Sequence, residues 1–380
     1  MLDSYKLNRC IKYTIKVNFI QYCLERIINN MKRILQLGLV FAMFLGMAGY
    51  VLPASASTPQ NYQVLVGSEN VSMGISIMQY FPHTVKLHVG DSITWNVNSH
   101  EIHTVTFLAG QSLQLLEIPA PAGMASPYQI NPQAAFPTPT NGLYDGSTFM
   151  NSGIMSTDPG FVRTFTLTFT REGVYDYVCY VHGEMMSGEV DVVAASVAVP
   201  TPAQVSAQGQ AEMKAAWLTV PTTLAKAVAQ IVPPVKNADG TITHTVTLGY
   251  MSGSVMIMKF FPSQMAVQPG DTVVWNLSAM EDAPHTITFY NGASDLSFGM
   301  FAIGPTGPVI LINPAVLFPS QAVLSGEPLN NTDFFNSGIL IPGLQDSFSI
   351  KIGNVSGTLN YECILHDTSG MTASLFVAPK

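Results

Sequence analysis

Charge is scarce in this chain. Asp, Glu, Lys and Arg make up only 11% of its 380 residues, and 16 basic residues face 24 acidic ones. Residues 1–56 hold seven of the basic and two of the acidic residues, so 9 and 22 remain beyond them, a net charge of −13. A surface so poor in Lys and Arg excludes nucleic-acid binding through phosphate contacts. Cysteine is scarce too: there are four, and Cys10 and Cys23 precede an export-signal pattern, leaving Cys179 and Cys363. Two cysteines allow one disulfide at most, which excludes a disulfide-stapled scaffold. Their matching places in a repeated unit, each followed three residues later by His, argue against even that one. The eight His contain no His-x-His pair.

The N-terminal pattern predicts export. Met31-Lys32-Arg33 is basic, Ile34 to Leu52 is mostly apolar, and Ala54-Ser55-Ala56 is a small-residue cleavage site. Residues 31–56 therefore read as a signal peptide of a periplasmic, cell-surface or extracellular protein. The apolar stretch is nearly long enough to span a bilayer, so an uncleaved anchor competes, and membrane attachment is expected only if this segment is retained. Residues 1–30 are read as a misassigned or disordered extension.

What the chain does contain is a repeated set of soft ligands. Cys179, His182 and Met186 stand in YVCYVHGEMMSGEV, and Cys363, His366 and Met371 in YECILHDTSGMTASL. Thiolate, imidazole and thioether on one short loop select copper, and His2Cys with a long axial Met is the blue-copper electron-transfer set. Each half supplies the further His in a matching context, His103 in IHTVTF and His285 in PHTITF. A lone C-x-x-H is weak evidence; two copies, each with an upstream H-T-[VI]-T-F, outweigh the bland reading of buried thiols and core Met.

The repeat extends well beyond the ligands. Residues 76–97 match 256–277 at an offset of 180, with Met78, Phe81, Pro82, Gly90, Asp91, Trp95 and Asn96 recurring as Met258, Phe261, Pro262, Gly270, Asp271, Trp275 and Asn276. Asn-Pro, Phe-Pro and Asn-Ser-Gly elements follow in both halves. Duplication of one unit implies two similar domains, 57–196 and 241–380. Each reads as β: Thr84–Val89 alternates, Gly90-Asp91 turns, Ser92–Val97 alternates again, and several more short strands suggest an antiparallel sandwich. Residues 197–240 break the pattern with an Ala-rich stretch, Ala203–Ile231, interrupted by Pro221, and read as a partly helical linker.

On these motifs the chain resembles the cupredoxin family of blue copper proteins, which includes plastocyanin, amicyanin and azurin. The pieces are [LV]-x-[VP]-G-D-x-[IV]-x-W, then H-T-x-T-F, then Y-x-C-x-x-H with M-x-[GA]-x-[VL]. The resemblance implies an all-β chain of two tandem Greek-key β-sandwiches joined by the linker, each holding copper near one end. It implies one-electron transfer without turnover of a substrate, and two type 1 coppers: His103, Cys179, His182 and Met186 in the first domain, His285, Cys363, His366 and Met371 in the second. Met185 rivals Met186; the register of Met-x-Gly-x-Val against Met371-x-Ala-x-Leu favours Met186. His182 and His366, on the ligand loops, are expected to reach the surface as points of electron entry or exit, and the acidic surface suits a redox partner with a basic docking patch. The segment between His103 and Cys179 is longer than in the smallest family members and reads as a sandwich edge or a shell over the copper end.

Other functions stay open on the sequence. Nineteen Met keep a copper storage or delivery role in view, although the Met256-x-Met258 pair lies in an apolar run and reads as core. Metal-free adhesive sandwiches are a third reading, against which both complete ligand sets count. An oxidase needs His-x-His pairs, and a nitrite-reductase-like enzyme a His beside a ligand Cys; both are missing. His100 with His103 is a weak candidate for a further metal site, and His83, His88 and His244 read as structural.

Overall fold

Alternation along the chain becomes two-faced strands. Val85 and Leu87 point inward from Thr84–His88, and Ile93 and Trp95 from Ser92–Val97. The structure, a computed structural model, describes residues 58–294 and 296–379. The expected signal segment and the extension before it lie outside the described residues. Among the described residues no helix is long and apolar enough to cross a membrane.

The first half comprises β1 (Asn61–Asn70), β2 (Ile75–Phe81), β3 (Thr84–His88), β4 (Ser92–Val97), β5 (Thr106–Phe107), β6 (Glu117–Pro119), β7 (Tyr128–Ile130), the short helix α1 (Pro132–Ala135), β8 (Leu143–Tyr144), β9 (Met150–Asn151), β10 (Thr164–Phe169), β11 (Gly173–Cys179) and β12 (Gly183–Val193). The segment between the halves holds α2 (Pro202–Trp217) and α3 (Val220–Val228). The second half follows with β13 (Val235–Lys236), β14 (Ile242–Ser252), β15 (Val255–Phe261), β16 (Gln264–Val267), β17 (Thr272–Leu277), β18 (Thr288–Phe289), β19 (Gly299–Gly304), β20 (Gly307–Ile312), α4 (Pro314–Leu317), α5 (Gln321–Leu324), β21 (Phe335–Asn336), β22 (Ser347–Lys351), β23 (Gly357–Glu362) and β24 (Thr372–Val377).

Each half is a sandwich of cupredoxin type. In the first, β2-β1-β4-β10-β8 faces β3-β12-β11-β5-β9; in the second, β15-β14-β17-β22 faces β16-β24-β23-β18-β21. Parallel pairing of β1 with β4 and of β12 with β3 gives the Greek-key crossing, and β14–β17 and β16–β24 repeat it. The recurring Trp centres each core: Trp95 lies against Phe107, Phe165, Phe169 and Tyr177, and Trp275 against Phe289, Phe348 and Tyr361. Burial of each such ring contributes roughly 1.5–3 kcal/mol.

The halves are fused. β2 pairs antiparallel with β15, Ile77 opposite Val255 and Ile75 opposite Ile257, so one sheet of ten strands runs through both. A second junction joins β7 to β20 in the small sheet β19-β20-β7-β6, built from the extra segments between each upstream His and its Cys. The linker helices cover the first junction. A capping box between Thr201 and Gln204 starts α2, and Pro221 stands in the first turn of α3, where its missing N–H costs nothing. Val220 and Ala227 of α3 pack on Ile75, Ile77, Val255 and Ile257, and Trp217 Nε1 donates to Ser68 Oγ at 2.9 Å. The linker thus seals the joint between the sandwiches.

Candidate metal centres

Two clusters of ligand-bearing side chains stand out among the described residues: His103, Cys179 and His182, and His285, Cys363 and His366. In each, one atom from every residue lies within 4.8 Å of the others. His103 precedes β5, Cys179 ends β11 and His182 sits in the turn into β12, so the sandwich itself brings the distant His to the loop. His103 Nδ1 is 3.3 Å from His182 Nδ1, which is 3.4 Å from Cys179 Sγ. In the second cluster His366 Nδ1 lies 3.2 Å from His285 Nδ1 and 3.4 Å from Cys363 Sγ, and His285 Nδ1 is 3.5 Å from that sulfur.

The donor set fits copper. Two imidazole nitrogens and a sulfur converge in each buried site, and both cysteines are free and fully buried. Burial opposes ionisation of the Cys179 thiol, but His182 and His103 beside it outweigh burial and pull it well below the ordinary thiol value. His366 and His285 do the same for Cys363. Burial likewise opposes charge on His182, yet Cys179 and Glu101 push its pKa up to about 10. Each thiolate also accepts a backbone N–H, from Thr104 at 3.3 Å and from Thr286 at 3.4 Å, which orients the sulfur.

The methionines separate cleanly. Met186 is fully buried in the same core as Cys179, whereas Met185, one place earlier on β12, is 47% exposed. Met371 is buried with Cys363; its carbonyl accepts the Cys363 N–H and its own N–H donates to the His366 carbonyl.

Close approach at the upstream His depends on glycine. Gly67 (φ +71) and Gly249 (φ +62) sit at register shifts in β1 and β14. A Cβ on Gly67 would stand 2.6 Å from His103 Nε2, and one on Gly249 would stand 2.8 Å from His285 Nε2.

The Asn-Ser-Gly elements, visible in the sequence without an assigned role, brace these sites. Asn151 accepts from Thr106 Oγ1 at 2.7 Å while its amide donates to the carbonyls of Gln133, Ala134 and Phe136. Asn336 repeats this with Thr288, Ala315, Val316 and Phe318. Thr106 in turn meets Thr104, which accepts the Tyr180 N–H next to Cys179. The extra segments are therefore both shell and joint: Ile130, Ala134 and Ile312 form a small core around Tyr180, beside the ligand loop.

One expectation is corrected for the second site: His366 does not open onto solvent, its side chain 6% exposed, while His182 keeps a small exposed edge, 10%. Both turn Nε2 toward a single buried carboxylate, Glu101, with Oε1 3.4 Å from His182 and Oε2 3.9 Å from His366. The sequence reading missed Glu101, because Ala283 stands at its place in the other half. Glu281 plays a more local part, its Oε2 3.7 Å from His285 Nε2. The remaining His are held structurally: His83 on the Ser187 carbonyl, His88 on the Val197 carbonyl, His100 on Asp158 and His244 on Asp271. His100 does not join His103 in a further cluster.

Residues 68–193 match the profile of the family described as copper binding proteins, plastocyanin/azurin family. No curated protein sequence matches the chain. Among solved structures, the amicyanin of Paracoccus versutus (Thiobacillus versutus) is 18% identical over 37% of this chain and 88% of its own, with a TM-score of 0.21. The oxidised plastocyanin of Dryopteris crassirhizoma is 20% identical over 35% of this chain and 99% of its own, with a TM-score of 0.20. Likenesses this slight carry no weight beside the sites themselves. The chain is cupredoxin-like: residues 68–193 match the plastocyanin/azurin family of copper binding proteins, and its second half repeats the sandwich and the His-Cys-His cluster.

Proposed function

We propose that this is an exported electron carrier with two type 1 copper sites, passing single electrons between redox partner proteins. The observation that carries this reading is the pair of buried clusters, each with two imidazoles and one thiolate inside a sandwich core. His103, Cys179, His182 and Met186 would hold one copper, and His285, Cys363, His366 and Met371 the other. Copper bound there supplies reversible one-electron chemistry. The protein's own groups keep the sites rigid and dry: Thr104 and Thr286 orient the sulfurs, the Asn151 and Asn336 networks fix the strands behind them, and the buried cores exclude water. Four protein ligands per site leave no place for a substrate, which favours a carrier over an oxidase. Met256 and Met258, fully buried in the core, do not favour storage. Export rests on the sequence pattern of residues 31–56, and a basic docking patch on the partners would complement the net charge of the remaining chain.

The test is copper stoichiometry. The mature protein should bind two coppers with thiolate-to-copper absorption, and Cys179→Ser and Cys363→Ser should each remove one blue site. A single mutant that retains both absorptions would show that cysteine to be wrongly assigned.

A further inference from the structure

Glu101 is a buried carboxylate placed between the two halves' ligand loops, with one oxygen toward each of two histidines. It leaves β4 in the loop that leads to His103, held there by Ser99 Oγ on its carbonyl and by Glu69 on the backbone N–H of His100. Each histidine has its Nδ1 among the ligand atoms of its own half and its Nε2 toward Glu101. With Nδ1 given to a metal, Nε2 carries the remaining N–H and can only donate. Two N–H groups turned toward one residue are met by a carboxylate, which presents one oxygen to each, at 3.4 Å and at the longer ion-pair distance of 3.9 Å. The result is a ring–carboxylate–ring bridge joined by two electrostatic contacts.

We propose that Glu101 is a positioning residue that couples the two centres, holding His182 and His366 toward one another so that an electron passes between the halves inside the protein. This rests on the two-copper reading above. In such a passage one centre is oxidised by one electron as the other is reduced by one; no bond forms or breaks, and Glu101 itself gains and loses nothing. The geometry also fits the small exposure of the ligand-loop histidines, 10% and 6%: their Nε2 edges serve an internal exchange. Only the first half supplies this acid, since Ala283 stands at the matching place. Glu281 is a built-in comparison, because it lies at ion-pair distance from His285 of one site only.

The experiment uses the full-length copper-loaded protein. Intramolecular exchange is followed by pulse radiolysis at substoichiometric reduction, and each centre's potential is measured in the Cys363→Ser and Cys179→Ser backgrounds. Glu101→Gln offers one acceptor and one donor, so it cannot satisfy both histidines. It should keep both blue absorptions, slow the exchange by about an order of magnitude, and raise the potentials of both centres, because a negative charge beside each is lost. Glu281→Gln should move the second centre's potential alone. A shift confined to the first centre in Glu101→Gln, or exchange at the wild-type rate, overturns the proposal. Should Glu101→Gln fail to load both sites, Glu101→Asp decides. It keeps the charge and both oxygens but shortens the reach, so slowed exchange with two intact blue sites supports the coupling, and unchanged exchange overturns it. A wild-type chain that takes up no copper sinks the copper reading together with this inference, whereas two blue sites indifferent to Glu101 sink the inference alone.

Discussion

Met185 and Met186 differ by one place in the chain and by a face of the strand. Alternation along β12 turns Met186 into the core with Val190 and Val192 and leaves Met185 outside. Losing a weak axial thioether tunes a site without emptying it. Met186→Leu should therefore keep copper and raise the first centre's potential, while Met185→Leu leaves both unchanged, as redox titration in the Cys363→Ser background would show. The opposite pattern would transfer the axial role to Met185. A second residue-scale case is Asp271, which the sequence offered only as half of a Gly-Asp turn. Its buried carboxylate accepts the N–H groups of Ile242 at 2.8 Å and Gln268 at 2.9 Å, and His244 Nε2 lies 3.1 Å away. Burial alone would raise its pKa; these partners win and hold it below the ordinary aspartate value. A carboxyl depressed in the folded state contributes stability above its unfolded value and loses it as pH falls through the folded one. Asp271→Asn should cost about 1–3 kcal/mol at neutral pH, and the gap to wild type should close as acid protonates the folded-state carboxyl. Denaturant titrations of the metal-free protein across pH would check this; a gap that stays constant into acid would remove the charge from the explanation.

Elements were legible where they carried a pattern of their own. Alternation in Thr84–His88, the turn after it and the repeated Trp led to the sandwich because each states which face is buried. The helices of residues 197–240 were legible from Ala and Pro, but not what they cover. That signal was present: ISIMQYF and VMIMKFF are apolar on both faces, as strands covered on both sides must be. They pair with each other and lie under Val220 and Ala227, a relation that no repeat offset encodes. Glu101 escaped for a related reason, since it works between copies of the unit and has no counterpart in the second one. The register shifts in β1 and β14 also looked like ordinary strand. Left-handed backbone costs a residue with a Cβ roughly 1–2 kcal/mol, and at Gly67 that Cβ would press on the His103 ring. Gly67→Ala should lower stability by at least that much and weaken copper at the first site while sparing the second. Equal losses at both sites, read by metal titration, would mean that the bulge supports the whole sheet rather than one ligand.

At the scale of the molecule, the two similar halves form one body rather than two beads. A sheet of ten strands crosses both halves, the β7–β20 pair joins them again, and the linker helices close the outer face of the first junction. Cutting the chain between halves would expose Ile75, Ile77, Val255 and Ile257, all fully or almost fully buried, each worth roughly 1.5–3 kcal/mol. Such a loss is comparable with the whole stability of a typical domain, about 5–15 kcal/mol. The halves should therefore unfold together. A ligand that binds only the folded state adds RT ln(1 + [L]/Kd), about 2.7 kcal/mol at a hundredfold excess over Kd. In a single cooperative unit that gain is shared by both halves even when only one of them binds. Calorimetry of the Cys363→Ser variant, which keeps the first site alone, should show one transition that moves upward as a whole when copper is added. Near-ultraviolet signals from Trp95 in the first half and Trp275 in the second should follow that transition together. Two resolved transitions, with only the one reported by Trp95 moving, would mean that the shared sheet is a contact between independent domains, and the internal exchange proposed for Glu101 would then have to cross an interface able to open.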